Sequence, residues 1–370
     1  VRDRRPQAGC RLKGRAVSRS YRILVAAPQV PFVRGGAELH AELTVKALAE
    51  AGHEVELLTV PYTWTGEISS VEQAMAWRLL NFENSAPGRV DLLVATKYPS
   101  YMARHHNKVA WIFHQQREVY DLHATRFGNF GMAEEDRELR EMLVELDIEA
   151  LGEARALFTN SRNTAERLMR YCGVEGQALY APPPLHDRLR PGPHGDYLFF
   201  IGRLDPLKRL DLTIRALAET RHPIRLRVAG RGPHRDKLVA LTEELGLTDR
   251  VDFLGFVSDE QVVEEYAGAL GMVLTPHDED YGFTTLEAFF AGKPVVTVTD
   301  SGGVLEFVRD GETGFVVETE PAEIAERIDL LWEDRALCET LGRRGLEEVR
   351  EKAPPEEPVE AGQAEEATPP

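Results

Sequence analysis

The chain has 370 residues, 43% hydrophobic and 28% charged, with a formal net charge of −17. That length exceeds one ordinary core and suits two domains, and no apolar run approaches the ~20 residues of a membrane span. So acidic a chain excludes general binding to nucleic acid, which needs a basic surface to displace counterions.

The charge is unevenly placed. Residues 1–20 carry a net +6 and residues 351–370 a net −5, so the body between them carries −18. The basic leader begins with Val and has no apolar core, so it does not read as a signal peptide; residues 1–20 are expected to form a disordered extension. The tail, 351–370, is rich in Pro, Glu and Ala without apolar periodicity and is also expected to be disordered. Cys10, Cys172 and Cys338 are far apart and lack metal-ligand spacing. They point to a reducing compartment, with a cytoplasmic location as the expectation.

From Tyr21 the pattern becomes regular. RILVAAP (22–28) reads as a buried parallel strand, AELHAELTVKALAEAG (37–52) as an amphipathic helix closed by Gly52, and HEVELLTV (53–60) as the next strand. This βαβ unit opens an α/β domain. VDLLVAT (90–96), KVAWIFH (108–114) and ALFTNS (156–161) read as further strands, with a long helix from about 134 to 156 and a capped one in SRNTAERLMRYCG. The Pro- and Gly-rich run 181–197 is the domain boundary. Beyond it YLFFIG (197–202), RLRVAG (225–230), VDFLG (251–255), GMVLTP (271–276) and PVVTV (294–298) repeat the scheme. The division is therefore a first domain over 21–185, a linker over 186–196 and a second domain over 197–350.

In open parallel sheets, ligands sit beyond the carboxyl ends of the strands. Arg203, Gly230, Glu279 and Gly302 all follow such ends. In EDYGFTTLEAFFAGKPVV (279–296), Glu279 and Glu287 bracket a turn at Gly282 that leads into a short helix. In GRLDPLKRLD (202–211), Arg203 and Lys208 follow an apolar run. By itself Thr284–Glu287 is a capping-box sequence, in which Glu287 would serve backbone amides. Gly35 and Gly36 lie between strand and helix, where close backbone approach demands small residues. His114 ends an apolar run, a place where a histidine is as readily structural as functional; His105, His106 and His123 show no ligand spacing.

Taken together, GRLDPLKRLDLTIRAL, RVAGRGP, RVDFLGFVSDEQ, EDYGFTTLEA and DSGGVLEFVRDGETGFVV, with VRGGAE (33–38), FHQQ (113–116) and FTNSRNTAERL (158–168), resemble glycosyltransferase family 4. These are the group 1 retaining transferases of GT-B architecture. The likeness runs from about 21 to 330 and is strongest in the second domain. It implies an α/β fold of two tandem Rossmann-like domains whose parallel sheets face across a cleft. The function it implies is transfer of a sugar from a nucleoside-diphosphate sugar to a glycan, lipid or small acceptor.

The resemblance also assigns roles. Arg203 and Lys208 would meet the leaving diphosphate, where fixed cations stabilise developing charge, and would stand in for a metal. Neither a metal nor a resident cofactor is expected. Lys208 is followed by Arg209, a neighbour able to share the work. Glu287 would hold the ribose, Glu279 would face the donor sugar, and His114 would bond the transferred sugar. Gly282, Phe283, Thr284 and Thr285 would offer backbone to sugar and diphosphate at a helix N-terminus. Gly35 and Gly36 would complete the phosphate pocket, and backbone near Gly255, Phe256 and Val257 the base site.

The acids of DED (278–280) suggest an aspartate-x-aspartate metal site, but the register of Glu279 with Glu287 speaks against it. Retention admits either a same-face attack or a covalent intermediate on a carboxylate. Two other readings share the architecture: a non-catalytic nucleotide-sugar-binding subunit of a glycan-assembly complex, and a hydrolysing sugar-nucleotide epimerase. The helical pattern fades near Arg350, so a C-terminal helix crossing back to the first domain is expected to be short or missing, with a partner chain in its place if so. Peripheral contact with the inner face of a membrane fits the expected setting in polysaccharide synthesis.

Overall fold

The computed structural model describes residues 19–63, 67–83, 88–128 and 131–354. Two parallel six-stranded sheets follow one another along the chain. The first holds β1 (Arg22–Gln29), β2 (Glu54–Pro61), β3 (Leu92–Ala95), β4 (Lys108–Ile112), β5 (Ala156–Thr159) and β6 (Gln177–Ala178), in the spatial order β2-β1-β3-β4-β5-β6. Helices α1 (Gly36–Glu50), α2 (Glu67–Leu79), α3 (Glu134–Gly152) and α4 (Arg162–Cys172) connect them.

The second sheet holds β7 (Tyr197–Ile201), β8 (Arg225–Ala229), β9 (Val251–Gly255), β10 (Gly271–Val273), β11 (Val295–Val298) and β12 (Gly314–Val317), in the order β12-β11-β10-β7-β8-β9. Its helices are α5 (Leu210–Glu219), α6 (Arg235–Glu244), α7 (Asp259–Gly268), α8 (Phe283–Phe290), α9 (Pro321–Glu333) and α10 (Arg335–Lys352). This is the GT-B arrangement.

Alternation along β1 builds both faces of the first sheet. Ile23, Val25 and Ala27 pack with Ala41 of α1 on one side, while Ala26 joins Trp77, Tyr101 and Leu143 on the other, as the two-residue period of a strand requires. In the second domain one core gathers strand and helix alike, from Leu198 to Val349. Its central strands are buried on both faces, which is why they read as unbroken apolar runs.

Several strands end sooner than the sequence suggests. β4 stops at Ile112, so Phe113 and His114 lie in the loop beyond it, and β10 stops at Val273. Helix α2 and strands β6 and β12 are additions. Helix α10 ends at Lys352, close to Arg350 where the helical pattern fades, and packs on α8 and α9 of the second domain. Gly342 makes this possible, since a Cβ there would lie 1.9 Å from Gly292 O. The basic leader up to residue 18 and the acidic tail from 355 lie outside the described residues. Among the described residues no helix is long and apolar enough to cross a membrane.

Candidate donor and acceptor site

Lys208 and Glu279 meet at the carboxyl edge of the second sheet, Nζ to Oε2 at 2.5 Å. Asp205 builds the turn that carries Lys208: its Oδ1 accepts from Leu207 N (3.0 Å) and Lys208 N (3.3 Å). Glu279 is fixed through its backbone, its N–H donating to Ser301 O (3.1 Å) and its carbonyl accepting from Gly303 N (2.7 Å). The two side chains line a pocket with Gly282, Thr284, Thr275 and Val304. Burial opposes the charge on Lys208, but Glu279 outweighs it and raises the ammonium above its ordinary range.

Helix α8 starts at this pocket. Its N-cap, Gly282, has φ +83°, a left-handed conformation natural to glycine, and a Cβ would lie 3.1 Å from Val304 Cγ2. The helix therefore starts at the pocket, with Gly282 and Thr284 in the lining, and an amide end so placed favours an anion, although the Thr285 N–H is already bonded to Gly282 O (2.9 Å). Thr285 is buried, with its hydroxyl unpartnered. One turn on, Glu287 is buried and accepts from the Tyr266 hydroxyl of α7 at 2.7 Å. No side chain caps α8, so the capping-box sequence is not used as a cap. Burial pushes the Glu287 carboxyl up to about 7, with Tyr266 opposing.

Arg203 leaves the same sheet edge with its guanidinium toward Asp205 (3.7 Å), half-exposed and outside the lining of the Lys208–Glu279 pocket. The structure does not bring it to Lys208 directly. Arg209 is corrected: it is buried and bonded to Asp300, Thr275 O and Pro276 O, and so cannot share the work of Lys208. At the end of β9, Phe256 is exposed under the guanidinium of Arg231 (5.7 Å), and Val257 packs on the core.

Across from α8 stands the N-terminus of α1. Gly35 is its N-cap and Gly36 its first residue. A Cβ on Gly36 would lie 3.2 Å from the Phe113 ring and 3.7 Å from that of Phe283. The two helix starts thus face each other across aromatic rings whose centroids are 6.3 Å apart. Beneath them Lys97 and Glu38 form a buried pair at 2.6 Å, and Glu38 also accepts from Gly35 N (2.9 Å). His114 places Nδ1 at 2.7 Å from Gln115 O. Donation there leaves Nε2 as an acceptor. Burial lowers its pKa and keeps the imidazole neutral, although Asp280 pulls the other way.

Residues 186–348 match the family described as "Glycosyl transferases group 1". The chain carries a group 1 glycosyltransferase domain. A D-inositol 3-phosphate glycosyltransferase of Nocardia farcinica is 29% identical over 84% of this chain and 80% of its own. The Frankia alni protein of that name is 35% identical over 46% and 47% respectively. Among solved structures, the sucrose-phosphate synthase of Thermosynechococcus elongatus gives a TM-score of 0.70 at 20% identity, covering 90% of this chain and 94% of that one. Anabaena HepE in complex with UDP and glucose gives 0.64 at 20% identity, covering 90% and 95%.

The group 1 domain is tied to the first domain by charges the sequence does not advertise. Arg167 of α4 donates to Asp280 and to Asp278 Oδ2 (3.0 Å). Asn163 donates to Asp278 Oδ1 (2.7 Å) and Glu279 O (2.9 Å), and Ser161 Oγ donates to Asp280 O. Glu306 receives the backbone amides of Arg162 (3.1 Å) and Asn163 (2.8 Å) at the start of α4, together with the Tyr180 hydroxyl. These contacts account for DED (278–280): its aspartates hold arginines.

A different trio, Glu83, His105 and His106, brings potential ligand atoms within 4.8 Å of one another. It precedes β4, at the sheet edge away from the cleft. His106 is held there between Glu83 (2.7 Å) and the Arg89 guanidinium (2.7 Å). Lys97, Glu38, Tyr266 and Asn163 are further site residues that sequence reasoning missed. VRGGAE contains Glu38 and FTNSRNTAERL contains Asn163, and those two motifs were the signals available.

Proposed function

We propose that the chain is a retaining glycosyltransferase that moves a sugar from a nucleoside-diphosphate sugar to a glycan, lipid or small acceptor without a resident metal. The observation that carries this is the convergence of Lys208, Glu279 and the amide end of α8 in one pocket, with Glu287 one turn behind. Lys208 and the α8 amides receive the diphosphate, with Arg203 reaching over from the sheet edge. Glu287 takes the ribose hydroxyls, the β9 turn at Phe256 and Val257 the base, and Glu279 the hydroxyls of the transferred sugar. From the first domain, Gly35 and Gly36 let α1 approach the phosphates, and His114 offers Nε2 to the sugar.

Charge grows on the diphosphate oxygen as the bond to the anomeric carbon breaks, and a cation fixed there lowers the barrier. In a same-face attack the acceptor hydroxyl adds to that carbon and its proton passes to the departing phosphate. A double displacement would instead need a carboxylate nucleophile beside the anomeric carbon. Glu279, engaged by Lys208, is not set up as one. Metal independence is supported by the use of Asp278 and Asp280 as arginine partners, with a lysine beside the diphosphate position.

The HepE complex makes UDP-glucose the first donor to try, and the names of the relatives make a phosphorylated polyol the first acceptor. Turnover of a donor panel, with and without EDTA, tests the reading, with the product's anomeric configuration read by NMR. A retained configuration and EDTA-insensitive rate are expected; inversion or strict dependence on added metal would contradict it.

A further inference from the structure

The segment 278–280 divides its side chains between the domains. Asp278 and Asp280 face the first domain, while Glu279 faces Lys208 in the opposite direction. Arg167, 4% exposed, spans both aspartates with a single guanidinium and also lies 3.5 Å from Asp121. Arg117, in the loop after β4, is bonded to Asp121 (2.9 Å) and stands 3.6 Å from Asp278 and 3.8 Å from Asp280. The backbone is gripped as well, since Asn163 takes the carbonyl of Glu279 and Ser161 that of Asp280.

Asp278 is held at φ +44°, an uncommon conformation for a residue with a side chain. Such strain persists where the surroundings over-determine it. Here they do so from both domains: Asp278 N donates to Asp300 O (2.8 Å) within the second, and Asn163 and Arg167 hold its side chain from the first.

We propose that Arg167 is a positioning residue for sugar transfer. By holding Asp278 and Asp280 it adds to the second domain's own hold on the Glu279 backbone, through Ser301 and Gly303, and completes the aim of the acid at the donor when the first domain is seated on the second. The proposal rests on the reading of Glu279 as the donor-facing acid. Apart from the approach of α1 at Gly35 and Gly36, the diphosphate and ribose positions lie on second-domain residues outside this segment, so nucleotide binding should respond less than sugar transfer to loss of the grip.

The test compares wild type with Arg167→Gln, Arg167→Lys, the milder Asn163→Ala, and the pair Arg167→Gln with Asp280→Asn. The measurements are kcat and donor KM, nucleoside-diphosphate affinity by calorimetry, and radius of gyration by X-ray scattering. For Arg167→Gln, kcat should fall by up to about 10²-fold, the scale of a small misplacement, while diphosphate affinity stays within about threefold. Arg167→Lys should recover part of the loss, because one ammonium cannot bridge both carboxylates. The double variant should be no worse than Arg167→Gln alone.

An unchanged kcat, or a loss of affinity matching the loss of kcat, would overturn the proposal. Should Arg167→Gln not fold, Asn163→Ala decides by the same split. If the wild type turns over no donor, the transferase reading fails by itself, and scattering then judges the grip. A larger radius of gyration for Arg167→Gln supports the link between domains; an unchanged one refutes it.

Discussion

Lys208 is committed to Glu279 in the structure, and a diphosphate in the pocket would compete for the same ammonium. The competition gives a direct expectation: Lys208→Ala should lower kcat by about 10²-fold, the usual cost of removing one donor from a developing anion, as read by steady-state turnover. Glu287 supplies a second. Its carboxyl is pushed up to about 7, and ribose hydroxyls donate best to the ionised form. Donor affinity should therefore rise with pH up to about 7, weakening by as much as about tenfold per unit below it. Glu287→Gln should flatten that profile; an unchanged pH dependence in the variant would show that another group is titrating. Glu279 and Lys208 stood out in the sequence because each follows an apolar strand closely, whereas Glu287 read by itself is a capping residue and drew its binding role from the resemblance alone. The Tyr266 hydroxyl that holds Glu287 was not, because nothing in the spacing of α7 pairs it with a residue 21 positions away.

At the scale of elements, the fit of α10 on α8 depends on two glycines. A Cβ on Gly345 would lie 2.4 Å from the Phe289 ring, and one on Gly342 would strike the Gly292 carbonyl. Gly342→Ala should cost about 1–3 kcal/mol, the range of overpacking, whereas Gly152→Ala at the end of α3, with open space around it, should be neutral or slightly stabilising; thermal denaturation compares the two. Helix α3 also buries Asp147 against the Tyr120 hydroxyl (2.6 Å), and burial pushes its carboxyl up to about 7. The folded state then binds this proton more tightly than the unfolded chain, whose value is about 4. The contribution is fully present below about 4 and is lost as pH rises through 7. Asp147→Asn should reduce the fall in Tm between pH 5 and pH 8. The long, strongly periodic helices could be read from the sequence. The two-residue β6 carries too little pattern to be seen, and β4 was read too long because Phe113 and His114 continue its apolar run.

For the whole molecule, the two sheets and their order of use were written in alternating strand and helix patterns, but the joint between them was not. Arg167 and Asp280 are 113 residues apart and in different domains, a separation that local periodicity cannot report. Burial opposes ionisation of Asp280, yet Arg117 and Arg167 overcome it and hold the carboxyl down at about 2. The joint therefore keeps its charge over the whole working pH range and would loosen only in strong acid. Glu306 adds a second anchor by receiving the start of α4. The measurement that bears most directly on the transferase reading is thermal stabilisation by nucleoside diphosphates and their sugars, with and without EDTA, in wild type and Lys208→Ala. A ligand that binds the folded state must raise Tm. Stabilisation by one diphosphate that persists in EDTA and is lost in the variant is expected; no stabilisation by any nucleotide, or an equal rise in Lys208→Ala, would contradict the donor site assigned to this pocket.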